Sequence, residues 1–275
     1  MNKFACIFFL IAIPALTGCY RQVYFLSPLN ANTNFYHAIP LRSDTIKSAT
    51  YLSGTVSIGG ANDYYEDQVF SFNGYFHRSH AFNSIQAYYG ANFSLGSYNV
   101  GQSYYYNPYT TPLVNYDYGR KFFGSVGVSG GMNLVIPMGS RHEWRVIGIE
   151  TTLQKEYGSY LSFRKSLPDS AATAITRNNL FISGGLTTEF VFKIRRRGTI
   201  GYKLAIGSSF QKTPKFYYYY GNNGDHYYQS VSPFYISNTL QITRNKVTGF
   251  IQINGGEYAA NFQTGISYKL GGKTK

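Results

Sequence analysis

The sequence predicts an all-β fold: a transmembrane, antiparallel up-and-down barrel of about ten strands behind an N-terminal signal peptide. Three observations predict it. From residue 45 onward, apolar and polar residues alternate with the period of two that belongs to strands, and turn residues bound each run. The connections between runs are short and long by turns. The face opposite each apolar stripe is built of Gly, Ser, Thr, Asn and Gln, whereas a water-facing sheet carries more Lys and Glu to block edge association.

The chain begins MNKFACIFFLIAIPALTGC. Lys3 precedes an apolar run from Phe4 to Ile13, then Pro14 and small residues, which is the layout of a cleaved secretory signal. The run is too short for a bilayer-spanning helix. Its end, Leu16-Thr17-Gly18-Cys19, resembles the bacterial lipobox. That resemblance implies cleavage before Cys19 and its lipidation. Cys6 lies in the segment to be removed, so Cys19 has no partner for a disulfide, and acylation accounts for an otherwise odd secreted cysteine. The expected organisation is a signal peptide over 1–18, a lipidated periplasmic tether over 19–44, the barrel over 45–270 and a tail over 271–275.

The strands follow in order: 45–59, 68–79, 84–98, 121–136, 143–156, 180–194, 199–209, 231–243, 246–254 and 261–270. The last is the clearest, with Phe262, Thr264, Ile266, Tyr268 and Leu270 on one face and Asn261, Gln263, Gly265, Ser267 and Lys269 on the other. The stripe Leu180, Ile182, Leu186, Phe190, Phe192 and Ile194 carries no charge, and Ser183, Glu189 and Lys193 lie opposite. Ile85, Tyr89, Phe93 and Leu95 form the stripe of 84–98; Phe122, Val126, Val128, Met132, Leu134 and Ile136 form that of 121–136. Arg78 and Arg145 fall in stripe register near strand ends, where a long cation can snorkel. Asn238 interrupts the stripe of 231–243 without an evident partner.

Gaps 80–83, 137–142, 195–198 and 244–245 are short, whereas 99–120, 157–178 and 210–230 are long. Outer-membrane barrels have this asymmetry, with short periplasmic turns and long external loops. An even strand number then places both ends of the barrel at the periplasmic rim, and the tether with them. A soluble β-sandwich or lipocalin-like barrel is the competing architecture. Runs of ten or more residues suit a tilted crossing of hydrocarbon better than the shorter strands of a sandwich. No helix period is evident after the signal.

The region after the lipobox, from Tyr24 to Gly60, resembles the N-terminal pattern of outer-membrane β-barrel lipoproteins of the Bacteroidota, with His37-Ala38-Ile39-Pro40-Leu41 as the matching element. Ala38 and Ile39 stand where that pattern favours Asn and Val. The resemblance implies a fold and an outer-membrane address, and it carries no catalytic residue.

The net charge of +13 raises nucleic acid as a partner, but a secretion signal and the scarcity of basic clusters exclude it. Lys and Arg at the outer rim suit lipopolysaccharide phosphates, and Arg195-Arg196-Arg197 suits phospholipid headgroups. FYYYYGNNGDHYY (216–228) and its counterpart in gap 99–120 are dense in tyrosine. Tyr104, Tyr105, Tyr106, Tyr217, Tyr218, Tyr219, Tyr220, Tyr227 and Tyr228 are the candidate surface-binding residues, as an interfacial girdle or as stacking platforms for a glycan. Glu150, Glu189, Lys193, Lys203 and Lys269 face the interior and form the candidate lumenal network. Asp225-His226 has no second acid–base pair to complete a hydrolase. Asp63, Glu66 and Asp67 lack the spacing of a calcium loop and read as a solvated acidic turn. No catalytic residue, metal or cofactor is expected. The expected role is a structural or surface-binding barrel that contacts glycan, lipopolysaccharide or a protein; the alternatives are a small-solute channel, an envelope hydrolase and a periplasmic lipid-binding barrel.

Overall fold

The computed structural model describes residues 24–30, 35–41, 43–44, 46–62, 67–101, 117–139, 142–168, 174–194, 198–211, 216–220, 225–229, 233–256 and 259–274. Ten antiparallel strands close into one barrel. Counting only barrel strands, they are β1 (Ile46–Ala61), β2 (Asp67–Ala81), β3 (Ile85–Val100), β4 (Gly119–Met138), β5 (His142–Tyr157), β6 (Leu180–Ile194), β7 (Gly198–Ser209), β8 (Phe234–Arg244), β9 (Val247–Gly256) and β10 (Ala259–Thr274). Each pairs with its neighbour in sequence, and β10 closes on β1 through pairs such as Phe262 with Ile58. Every strand expected from the period of two is present, with ends shifted by a few residues.

The alternation sets which side meets what. Ile58 on β1 and Ile266 on β10 are 61% and 60% exposed and face outward. So do Phe93, Leu95, Val126, Val128, Leu186 and Ile206. Ser57, Ser71, Asn73, Ser94, Ser125 and Gln252 on the same strands are buried in the lumen. An apolar exterior around a polar interior is the inverse of a water-soluble barrel. It suits lipid, where closure leaves no strand edge unpaired. The chain is therefore an outer-membrane-type β-barrel. Aromatic residues ring its short-turn end on the outside: Trp144 stacks on Phe190 at 5.0 Å, and His80 stacks on Tyr89 at 5.7 Å. We call this the inner end and the end with long connections the outer end.

Asn238 finds its partner on this exterior. Tyr202 on β7 donates to Asn238 Oδ1 at 2.6 Å, so the amide in the apolar stripe is satisfied across the β7–β8 ladder.

Three expectations are corrected. Arg145 does not snorkel towards the membrane; it is 1% exposed and points into the lumen. The register of β5 shifts between Arg145 and Gly148 against β6 and between Leu134 and Val135 on β4, so one extra residue sits in the strand. Such a bulge exchanges the two faces. Glu143 and Arg145 are buried before it, and Glu150, Thr152, Gln154 and Glu156 after it. Second, the connection after β5 contains a helix, α1 (Ser159–Ser166), which the sequence pattern did not suggest. Gly158, at φ +117°, makes the turn from β5 into it; a Cβ there would meet the Phe122 carbonyl oxygen at 2.6 Å. α1 folds inward, and Tyr160 and Arg164 are fully buried. Third, the described part of the expected periplasmic tether is inside the barrel. Of residues 24–30 and 35–41, all but Ile39 are buried.

Candidate functional site: the lumen and the segment that fills it

The path of residues 24–30 and 35–41 can be followed by their partners. At the outer end, Tyr24 donates its backbone N–H to Asn62 Oδ1 at 2.7 Å, just beyond the end of β1. Tyr24 and Phe25 pair in parallel with Ala174 and Ile175 from the β5–β6 connection. Ser27 donates to Glu156 Oε2 at 2.7 Å, near the outer end of β5. Midway down, Phe35 packs on Tyr75 at 4.2 Å, and His37 stacks on Tyr88 at 4.2 Å. At the inner end, Lys193 of β6 lies 3.4 Å from Asp44. The chain thus enters at the outer end, descends through the lumen and turns into β1 at the inner end.

The outer half is held by aromatic packing. Phe25 meets the edge of Phe163 at 5.3 Å, Tyr98 stacks on Tyr160 at 3.9 Å, and Val69, Val100, Phe123, Leu167 and Ile175 complete the cluster. The polar groups at its margin are paired. Asp67 accepts from Tyr98 Oη at 2.6 Å, from Asn62 Nδ2 at 2.5 Å and from the Gly101 N–H at 2.7 Å. It is fully buried and not part of a solvated acidic turn; Asp63 and Glu66 lie outside the described residues. Arg164 of α1 pairs with Glu156 and donates to the Thr176 carbonyl at 2.8 Å, while Thr176 N–H donates to Phe25 O at 3.0 Å. The segment, α1 and the bridge at Ala174–Ile175 are therefore one packed unit.

The inner half packs Tyr36 and Ala38 against Ala49, Tyr51 and Phe250, and adds hydrogen bonds to its backbone. The Ala38 carbonyl accepts from Ser79 Oγ at 2.8 Å and from His77 Nε2 at 3.0 Å, which requires the proton of His77 on Nε2. The Ile39 carbonyl accepts from Arg145 Nη2 at 3.2 Å, and that of Pro40 from Gln86 Nε2 at 3.2 Å. Gln86 also donates to Glu143 Oε1 at 2.6 Å, and Arg145 Nη1 lies 2.5 Å from Glu189 Oε2. Tyr36 Oη donates to the other Glu189 oxygen at 3.3 Å. Tyr88 has room to lean over the lumen because Gly131 faces it; a Cβ at Gly131 would sit 2.6 Å from the ring.

The expected lumenal network divides. Glu150 and Lys203 meet at 2.6 Å, with Tyr88 Oη 3.4 Å from the same carboxylate. Glu189 is paired with Arg145. Lys193 is at the inner rim with Asp44. Lys269, half-buried at the same rim, joins no ion pair among the described residues. Residues that sequence reasoning missed are Arg145, Glu143, Gln86, His77, Ser79, Asp67, Glu156 and Arg164. One signal pointed towards them: 24–41 carries Tyr24, Phe25, Leu26, Leu29, Phe35, Tyr36, Ile39 and Leu41, too many apolar groups for a strand of chain lying in water.

Of the candidate surface residues, Tyr104, Tyr105, Tyr106 and Cys19 lie outside the described residues. Phe216–Tyr220 and Asp225–Gln229 form a two-stranded hairpin apart from the barrel, with Tyr217 opposite Tyr228 and Tyr218 opposite Tyr227.

The lumen wall is otherwise polar and weakly charged. Among the described residues, the Ser71 and Ser94 hydroxyls, Asn92 Nδ2, Glu150 Oε1 and Nδ1 of His37 and His77 are buried without a hydrogen-bond partner. These groups give the lumen a polar lining. A cavity of about 10 Å³ opens among His37, Tyr88, Asn133, Glu150, Thr187 and Lys203.

No family model and no curated protein matches the sequence. Among solved structures, the chain is similar to the translocator domain of the autotransporter NalP from Neisseria meningitidis, at 6% identity and a TM-score of 0.36, covering 81% of this chain and 88% of that one. It is similar to the KdgM porin in complex with disordered oligogalacturonate, at 7% identity and a TM-score of 0.31, over 80% and 99%. An outer membrane channel from Pseudomonas putida F1 matches at 8% identity and a TM-score of 0.39, over 85% and 98%. Likenesses this distant say nothing of what the barrel carries.

Proposed function

We propose that this protein is a porin-like barrel for small polar solutes, held closed by its own N-terminal segment. The observation that supports the reading is the joint character of the lumen: a wall of Ser, Thr, Asn and Gln side chains around residues 24–30 and 35–41, with backbone carbonyls of the latter stretch hydrogen-bonded to the wall. Water can replace such hydrogen bonds at small net cost, about 1 kcal/mol for each neutral donor and about 2 kcal/mol for Arg145. The inner half is therefore the part that loosens to admit solute. No catalytic step belongs to this reading.

Planar-bilayer recording tests it. The full chain is expected to show rare, brief openings. A variant lacking residues 24–41, refolded to a heat-modifiable barrel, is expected to show steady unitary steps. A well-folded deletion variant that stays silent would sink the channel reading.

A second reading keeps the barrel closed and gives it a surface-binding role towards a glycan, lipopolysaccharide or a protein. The tyrosine-rich hairpin at 216–229, separate from the barrel sheet, favours it. Loss of glycan or lipopolysaccharide binding on deletion of 212–232, with conductance unchanged, is its expected signature.

A further inference from the structure

An even number of strands returns the barrel's own ends to one rim: Ile46 of β1 and Thr274 of β10 are register partners at the inner end. The chain before β1 does not stay there. It runs from Asp44, beside Lys193 at the inner rim, up to Tyr24, which is tied to Asn62 and to Ala174 at the outer end. We infer that the N-terminus of the mature chain lies on the outer face of the membrane, opposite the C-terminus, and that the group carried by Cys19 enters the outer leaflet.

The distances leave little freedom. β1 is 16 residues long, about 50 Å along the strand and about 38 Å along the axis at the usual tilt of about 40°. Cys19 is five residues from Tyr24, and five residues reach at most about 18 Å. Cys19 therefore cannot return to the inner leaflet through or around the barrel. The bonds at the outer end also oppose withdrawal of the segment: Ser27 to Glu156, Tyr24 N–H to Asn62, and the parallel bridge to Ala174–Ile175. An acyl chain in the outer leaflet would fix the same end a second time. With β1 fixing the other, the segment can slacken in the lumen but cannot leave it. This proposal departs from the periplasmic position expected for the N-terminus. It rests on the long connections facing outward, and for the lipid itself on acylation of Cys19; it is independent of whether the barrel conducts.

The test uses the full chain in a Gram-negative host. An epitope is placed between Tyr20 and Arg21 in one variant and after Lys275 in another. Antibody is expected to bind intact cells carrying the first at least tenfold more than intact cells carrying the second, with equal binding after permeabilisation. On the unaltered chain, trypsin added to intact cells is expected to cut after Arg21 and to leave the inner connection at Arg195–Arg197 uncut until permeabilisation. Equal exposure of the two epitopes, or cleavage after Arg21 only in permeabilised cells, overturns the proposal. The reverse pattern, with only the C-terminal epitope on intact cells, overturns it through the orientation. Incorporation of an alkyne fatty acid, abolished by Cys19→Ser, is expected; a wild-type chain that takes up no label removes the lipid from the proposal and leaves the epitope result to decide the N-terminus.

Discussion

The two halves of the lumen hold the same segment by different proportions of ring packing and hydrogen bonding. In the outer half, Phe25 is clamped among Tyr98, Phe123, Tyr160, Phe163 and Ile175, and the contacts are between ring faces and edges. In the inner half, a smaller cluster of Tyr36, Ala38, Tyr51 and Phe250 is joined by the carbonyl oxygens of Ala38, Ile39 and Pro40, which accept from Ser79, His77, Arg145 and Gln86. Ring packing is strong once water is excluded and tolerates small shifts, because it is not directional. Hydrogen bonds are directional, so they fix which residue lies at which height, yet water can take their place. The outer half decides that the segment stays, and the inner half decides its register. A polar barrel can thus be closed by a chain that is firmly held at one end and exchangeable at the other.

The largest expected effect falls on the charged centre of the inner half. Arg145 serves Glu189, Glu143 and the Ile39 carbonyl at once. Arg145→Ala leaves two buried carboxylates without their cation and is expected to cost about 3–5 kcal/mol. The measurement is the shift of the urea midpoint of the detergent-refolded barrel. Adding Glu189→Gln should recover part of the loss, because it removes one of the uncompensated charges; a double variant no more stable than Arg145→Ala alone would mean that the guanidinium acts through packing instead.

Phe25→Ala tests the other half. Deleting a fully buried ring is expected to cost about 3 kcal/mol. The loss should appear locally: amides of 24–27 and of α1 exchange faster, while those of 38–41 keep their protection. Loss of protection throughout 24–41 would show that the segment behaves as one unit and that the contrast between the halves has no energetic counterpart.

The sequence showed these regions unequally. The barrel was legible because alternation repeats over ten strands, and each repeat is independent evidence for the same two faces. Arg145 was misplaced because one additional residue in β5 exchanges the faces, and a period-of-two reading has no means of seeing an insertion of one. The filling segment left only its apolar content as a signal, because extended chain held by its carbonyls needs no particular side chains at those positions; Ala38 and Ile39 contribute oxygen atoms that every residue has. α1 escaped notice because eight residues with buried Tyr160, Leu161, Phe163 and Arg164 make two turns without a clear stripe. Glu150, Glu189 and Lys203 were read as facing the interior and are buried there, but the partner of Glu189 depended on the bulge that turns Arg145 inward.

The smallest expected effects separate register from retention. Ser79→Ala removes one of two donors to the Ala38 carbonyl, and Gln86→Ala removes the donor to Pro40. Ser79→Ala is expected to cost about 1 kcal/mol and Gln86→Ala, which also loses a bond to a carboxylate, about 2 kcal/mol, too little to release Phe25 from its cluster. Exchange should rise at 38–41 and remain unchanged at 24–27, the opposite of the pattern expected for Phe25→Ala. In planar bilayers the same two variants should open more often than the parent with little change in step size, because each removes only one small group from the barrel wall. Gln86→Ala should act more strongly than Ser79→Ala: Gln86 also donates to Glu143, whereas the Ala38 carbonyl retains His77 when Ser79 is removed. An equal or reversed order would show that the Pro40 contact does not hold the inner half in place, and would shift that role to the pair of donors on Ala38.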